Sequence, residues 1–165
     1  MDSKKHLAGH LRNFIFGVED SLVSTVGLVS GIAVAGVSKS EILLTGAILI
    51  FVEAFSMGIG SFLSERSAEE FINDEKVSLG YLMENGAIMF LSYFISGFIP
   101  LFPYLILKTE TALFLSVGLS LLSLFVLGVV SAKLFGINIL KSGARMLFIG
   151  GIAIAIGVTV GKIFG

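Results

Sequence analysis

The sequence has no cysteine and no tryptophan, only two prolines and two histidines, and 14% charged residues. Without cysteine there can be no disulfide, no thiolate metal ligand and no cysteine nucleophile, and nothing reports the redox compartment. A formal net charge of −1 gives no case for nucleic acid as a partner. The two histidines, His6 and His10, supply no set of nucleophile, base and orienter, so an enzyme is not expected. With charge so scarce, 55% of the 165 residues are hydrophobic, and the mean hydropathy of +0.99 names a bilayer rather than water as the solvent.

Apolar runs of about 20 residues mark helices that span a membrane. Five occur, at 13–36, 42–64, 85–107, 111–135 and 145–164, and together they predict an all-α integral membrane protein with one domain over 1–165. The first run is too long for a cleaved signal peptide and lacks a small-residue cleavage site, so it is read as a retained helix. Pro100 and Pro103 are expected to kink or end the third span. Between the second and third spans lies a short polar segment, 65–84, with Glu65, Glu69, Glu70, Asp74, Glu75 and Glu84 against Arg66 and Lys76. An inside N-terminus places eight cations on the inner side (Lys4, Lys5, Arg12, Arg66, Lys76, Lys133, Lys141, Arg145) and three outside (Lys39, Lys108, Lys162). The positive-inside rule therefore predicts a cytoplasmic N-terminus, an outer C-terminus and a cytoplasmic acidic segment. With no targeting signal visible beyond the helices themselves, the cell membrane is the expected location.

The second span carries a carboxylate, a thioether and a hydroxyl inside its apolar run. Glu53, Met57 and Ser61 are spaced i, i+4, i+8 and share one stripe of a helix. In the first span Asp20 shares a stripe with Ser24, Gly27 and Gly31, whereas Glu19 sits above Val23 and Val26, so Asp20 is the better inward candidate. Asp20 lies eight residues from Arg12, and Met57 eight from Glu65. Both are thus about 12 Å in from the same boundary, with Glu53 one turn deeper. If the short turn 37–41 makes the first two spans an antiparallel pair, Asp20, Glu53 and Met57 reach similar depth and form a ligand set. Two hard oxygens and one soft sulfur suit Fe²⁺ or Mn²⁺ better than Mg²⁺. Carboxylates that shed protons to bind metal can also carry protons the other way.

Ser24, Ser61 and Ser64 are candidate lining groups, and Gly27 and Gly31 would permit close approach across a dimer. Glu65, Glu69 and Glu70 are candidates for capturing cations at the cytoplasmic mouth, with an ordinary solvated acidic face as the competing explanation. His6 and His10 have metal-ligand spacing, but beside Lys4, Lys5 and Arg12 they are assigned to a short amphipathic surface helix. The glycines of the last span, Gly150, Gly151, Gly157 and Gly161, are assigned to packing.

These residues give the chain a family likeness. Asp20-Ser21 followed by Val23-Ser24-Thr25, then Ser56-Met57-Gly58-Ile59-Gly60, then Gly97-Phe98-Ile99-Pro100-Leu101-Phe102-Pro103-Tyr104, and finally Arg145 with Gly150, occur in order along the chain. In this the chain resembles the vacuolar iron transporter family, whose members exchange Fe²⁺ or Mn²⁺ for protons. The resemblance implies a five-helix protomer, a homodimer with the metal path near the paired first helices, and ligand roles for Asp20 and Met57. Ser61-Phe62 stands where the family usually has a glutamate followed by an aromatic residue. We read Glu53, two turns earlier on the same stripe, as its replacement. The segment 65–84 is also much shorter than the family's metal-binding insertion, so this is a short form in which metal capture is weaker or confined to Glu65, Glu69 and Glu70.

The resulting expectation is a divalent-metal transporter moving Fe²⁺ or Mn²⁺ out of the cytoplasm by proton exchange, with no prosthetic group. Its partners would be the metal ion, protons, the bilayer and a second copy of itself. A passive metal-permeable channel and a non-transporting membrane scaffold are the alternatives.

Overall fold

The structure, a computed structural model, describes residues 2–72 and 78–165, with side chains described for 6–71 and 78–165. Asp74, Glu75 and Lys76 of the acidic segment lie outside the described residues. Five helices follow one another: α1 (Asp2–Val34), α2 (Lys39–Ile72), α3 (Leu79–Ile106), α4 (Thr109–Phe135) and α5 (Ile139–Phe164). Each is long and apolar enough to cross a membrane. No strand occurs among the described residues.

Polar and apolar side chains are distributed as the bilayer requires. Phe114 is 79% exposed and Ile95 66%, while Thr25, Asn85, Ser116 and Ser120 have no exposed surface. Lipid covers the outward apolar residues, and polar groups turn inward, where Asn85, Ser116 and Ser120 find partners. The turn between α1 and α2 closes because Gly36 takes a left-handed φ of 80°, a conformation costly for a residue with a Cβ. Asn138 caps α5 by accepting a hydrogen bond from the Lys141 backbone N–H at 2.9 Å.

Neither proline ends α3, which runs through Pro100 and Pro103 to Ile106. The Ser116 hydroxyl of α4 donates to the Pro100 carbonyl at 2.6 Å, which ties α4 to the proline-bearing stretch of α3.

α1 and α2 are not the close pair that their short turn suggests. They touch narrowly, and α3 packs broadly against both. Small residues explain the wedge. A Cβ on Gly97 of α3 would come within 2.8 Å of the Ser21 hydroxyl on α1 and 2.7 Å of Ile50 on α2. The C-terminal half of α1 instead packs on α5. A Cβ on Gly31 would lie 2.6 Å from the Gly157 carbonyl oxygen, and one on Gly157 or Gly161 would collide with the carbonyls of Gly27 and Gly31. Gly27 and Gly31 are therefore used inside the protomer against α5, which corrects their assignment to a dimer contact. At the end of the bundle bearing the α1–α2 turn, Val29, Ile42, Ile50, Leu101 and Tyr104 form a sealed apolar cluster.

Candidate metal pathway

The wedge of α3 assembles the polar centre. Tyr93, fully buried on α3, shares a hydrogen bond of 2.7 Å with the Ser24 hydroxyl of α1. The Ser21 hydroxyl donates to the Tyr93 carbonyl at 2.6 Å, so α1 grips this residue at both backbone and phenol. Asp20 and Glu53, half-buried on α1 and α2, are close enough for the charge of Glu53 to act on Asp20. Both carboxylates also act on the Tyr93 phenol. The arrangement offers two hard anionic oxygens from different helices, with a phenol and a hydroxyl beside them. Among the described residues no three His, Cys, Asp or Glu side chains converge as a metal cage. Two carboxylates can hold a divalent ion loosely enough to release it, which suits passage better than storage.

Met57, one turn from Glu53 on α2, borders a cleft of about 690 Å³ with Ser61, Ser64, Glu65, Arg12 and Met89, and neither Asp20 nor Glu53 borders that cleft. The connection between the cleft and Glu53 is α2 itself, where Glu53, Met57, Ser61 and Glu65 occupy successive turns. Met89, buried on α3, gives the cleft a second thioether. Ser64 donates its hydroxyl to the Ser61 carbonyl at 3.2 Å, one turn back along its own helix. Ser24 also borders an apolar groove of about 720 Å³ between α1 and α5.

Of the three glutamates at the end of α2, Glu65 alone lines the cleft. Its Oε2 accepts from Arg12 Nη2 at 2.5 Å, and its Oε1 accepts from the Tyr81 hydroxyl at 3.2 Å. Glu70 pairs with Arg66 at 2.8 Å on the exposed face. Glu69 is buried one turn beyond Glu65 and is engaged there. The histidines do not lie on a separate surface helix, because α1 is continuous from Asp2. His6 stacks on the Tyr81 ring with centroids 4.2 Å apart, and His10 Nε2 lies 3.4 Å from Glu84 Oε2.

Sequence reasoning missed Tyr93, Met89 and Tyr81. A signal for two of them was present: the chain has three tyrosines, Tyr81, Tyr93 and Tyr104, and all three are buried on α3. A phenol in an apolar helix needs a polar neighbour, and the helices carrying Asp20 and Glu65 were the places to look.

The model of the VIT family matches residues 11–79 and 78–162, nearly the whole chain. The chain belongs to the VIT family. It is similar to vacuolar iron transporter 1 of Arabidopsis thaliana, 24% identical over 223 aligned positions that cover 98% of this chain and 89% of that protein. It is also similar to vacuolar iron transporter homolog 2 of the same plant, 28% identical over 165 positions covering 94% and 84% of the two chains. Vacuolar iron transporter homolog 1 of Oryza sativa subsp. japonica is 29% identical over 171 positions, covering 94% and 74%. The first alignment needs far more positions than this chain has residues, so the Arabidopsis transporter 1 carries sequence absent here, while its homolog 2 aligns almost without such excess. VIT members are membrane transporters rather than enzymes, and the chain is a short form among them.

Proposed function

We propose that this chain carries Fe²⁺ or Mn²⁺ out of the cytoplasm in exchange for protons, with Asp20 and Glu53 as the central ligands and Met57 handing metal to them from the cleft. What supports the reading is that Asp20 on α1 and Glu53 on α2 are half-buried acids of neighbouring helices within electrostatic reach of the Tyr93 phenol, which bonds Ser24 at 2.7 Å, and that Glu53 lies up the α2 stripe from the cleft. Metal binding needs both carboxylates unprotonated, so arrival of a divalent ion releases protons and its departure lets them return. The cleft lies at the Glu65 end, while the opposite end is closed by the apolar cluster around Ile50 and Tyr104, an arrangement suited to loading from the side we assign to the cytoplasm. Glu65 is the favoured capture residue; Glu69 and Glu70 lie off the cleft.

The protomer leaves Asp20 and Glu53 only half-buried, and carboxylates facing lipid are costly. A homodimer covering this side of α1 and α2 would remove that exposure. The relatives' names speak of vacuoles and iron; for this chain we favour the cell membrane, with metal moving outward.

The test is uptake of Fe²⁺ and Mn²⁺ into sealed liposomes holding a pH-sensitive dye. Exchange gives metal entering together with a proton signal, and both disappear in Glu53→Gln. Metal flux with no proton movement would replace exchange with a pore, and flux untouched by Glu53→Gln would remove the assigned site.

A further inference from the structure

The ion pair at the cleft joins two helices that otherwise touch narrowly. Arg12 comes from α1 and Glu65 from α2, and both line the cleft that contains Met57, Ser61 and Met89. We propose that this pair is a cation-operated latch: an incoming divalent ion takes Glu65 as its first ligand and displaces the Arg12 guanidinium. The inference deepens the transport reading and rests on it.

The two partners are unequally held. The Glu65 side chain is 12% exposed and that of Arg12 is 64% exposed. The carboxylate is therefore fixed in the wall, whereas the guanidinium stands at the solvent edge on a long stem and can swing away without parting the helices. Glu65 is also gripped at both oxygens, Oε2 by Arg12 at 2.5 Å and Oε1 by the Tyr81 hydroxyl at 3.2 Å. When Arg12 leaves, Tyr81 still orients the carboxylate and one oxygen is freed toward the cleft.

Charge makes the device selective. A resident guanidinium opposes every cation at the mouth, but an ion of charge +2 gains twice the Coulomb attraction to Glu65 that a monovalent ion does. Sodium or potassium has no such advantage over the guanidinium it must replace. The pair Arg66–Glu70 makes the control: it has the same chemistry, yet it is exposed and away from the cleft.

Mn²⁺ is the probe. Calorimetric titration of the full chain carrying Glu53→Gln isolates binding at the mouth from binding at the centre. Adding Arg12→Gln should tighten Mn²⁺ binding by about fivefold or more, equivalent to about 1 kcal/mol. Adding Glu65→Gln should abolish it, and Arg12→Gln on the Glu65→Gln background should restore nothing. Arg12→Lys keeps the charge that ties the helices but loses the planar fork, and should give a smaller tightening. In liposomes Arg12→Gln should lower the KM for Mn²⁺ uptake by a similar factor. Unchanged or weaker binding in both Arg12 variants overturns the latch, as does Mn²⁺ binding that survives Glu65→Gln. If the wild-type chain moves no metal while this binding pattern holds, the transport reading falls and displacement of Arg12 by the ion still stands.

Discussion

α1 is held along its length by two different seams. From Asn13 to Ser24 it meets α3 through hydrogen bonds: Asn13 donates to Asn85 at 2.7 Å, Ser21 to the Tyr93 carbonyl at 2.6 Å, and Ser24 bonds the Tyr93 phenol at 2.7 Å. Its C-terminal half meets α5 through glycines, with Gly27 and Gly31 against Gly157 and Gly161. Lipid removes most of the hydrophobic drive that would join helices in water, so contact must come from close packing or from polar pairs. The two seams are these two solutions side by side on one helix. The glycine seam presents no candidate ligand, while the polar seam carries Ser24 and lies on the helix that carries Asp20. Separating the seams by mutation should therefore separate stability from transport.

The largest effect is expected at the polar centre. Glu53→Gln should reduce Fe²⁺ and Mn²⁺ flux by at least about 100-fold, with unfolding in detergent shifted by no more than about 1 kcal/mol. A variant that loses flux only because it unfolds would merge the two seams into one structural role. Asp20→Asn tests the proton side of the same pair: flux that remains should no longer respond to an imposed pH gradient. An intact response would place proton coupling elsewhere.

Gly157→Ala makes the opposite demand. Its Cβ would press on the Gly27 carbonyl, backbone that cannot move aside as a flexible side chain can. We expect a loss of about 1–3 kcal/mol in detergent unfolding, while residual folded protein keeps the wild-type KM for metal. A raised KM at unchanged stability would show that the glycine seam shapes the site.

The five helices, their order and the carboxylates within them were legible because long apolar runs and isolated charges are local properties of a sequence. The packing of α1 against α2 was not: reading the turn at 37–41 as a close pair left out the third helix, which packs broadly against both. That packing depends on where small residues such as Gly97 meet Ser21 and Ile50, a long-range match that periodicity along one helix does not report. The same limit explains Gly27 and Gly31: a small stripe announces a close neighbour and leaves the neighbour's identity open. Tyr93 was missed because its importance lies in what α1 and α2 bring to it.

Tyr93→Phe should have an intermediate effect, since it removes only the buried hydroxyl that bonds Ser24. Flux about 10-fold lower, with the helices still associated, would mark the phenol as a support for the ligand pair.

The smallest effect is expected at Asn13 and Asn85, which are buried in the polar seam but stand apart from both carboxylates. Asn85 Oδ1 accepts from Asn13, while Asn85 Nδ2 donates to the Tyr81 carbonyl at 3.1 Å, so Asn85 has a second partner within its own helix. Removing Asn13 leaves Asn85 partly satisfied; removing Asn85 leaves Asn13 without its partner on α3. A double-mutant cycle with alanine should thus give a coupling of about 0.6 kcal/mol, the average for polar pairs between membrane helices, and no more than about 1.7 kcal/mol, with Asn85→Ala the more damaging single change. Coupling near zero would mean that this pair adds nothing to the hold of α3 on α1 and that Ser21 and Ser24 supply the seam's working hydrogen bonds. The polar seam would then shrink to the residues around Tyr93, and its structural and transport roles would fall on the same atoms.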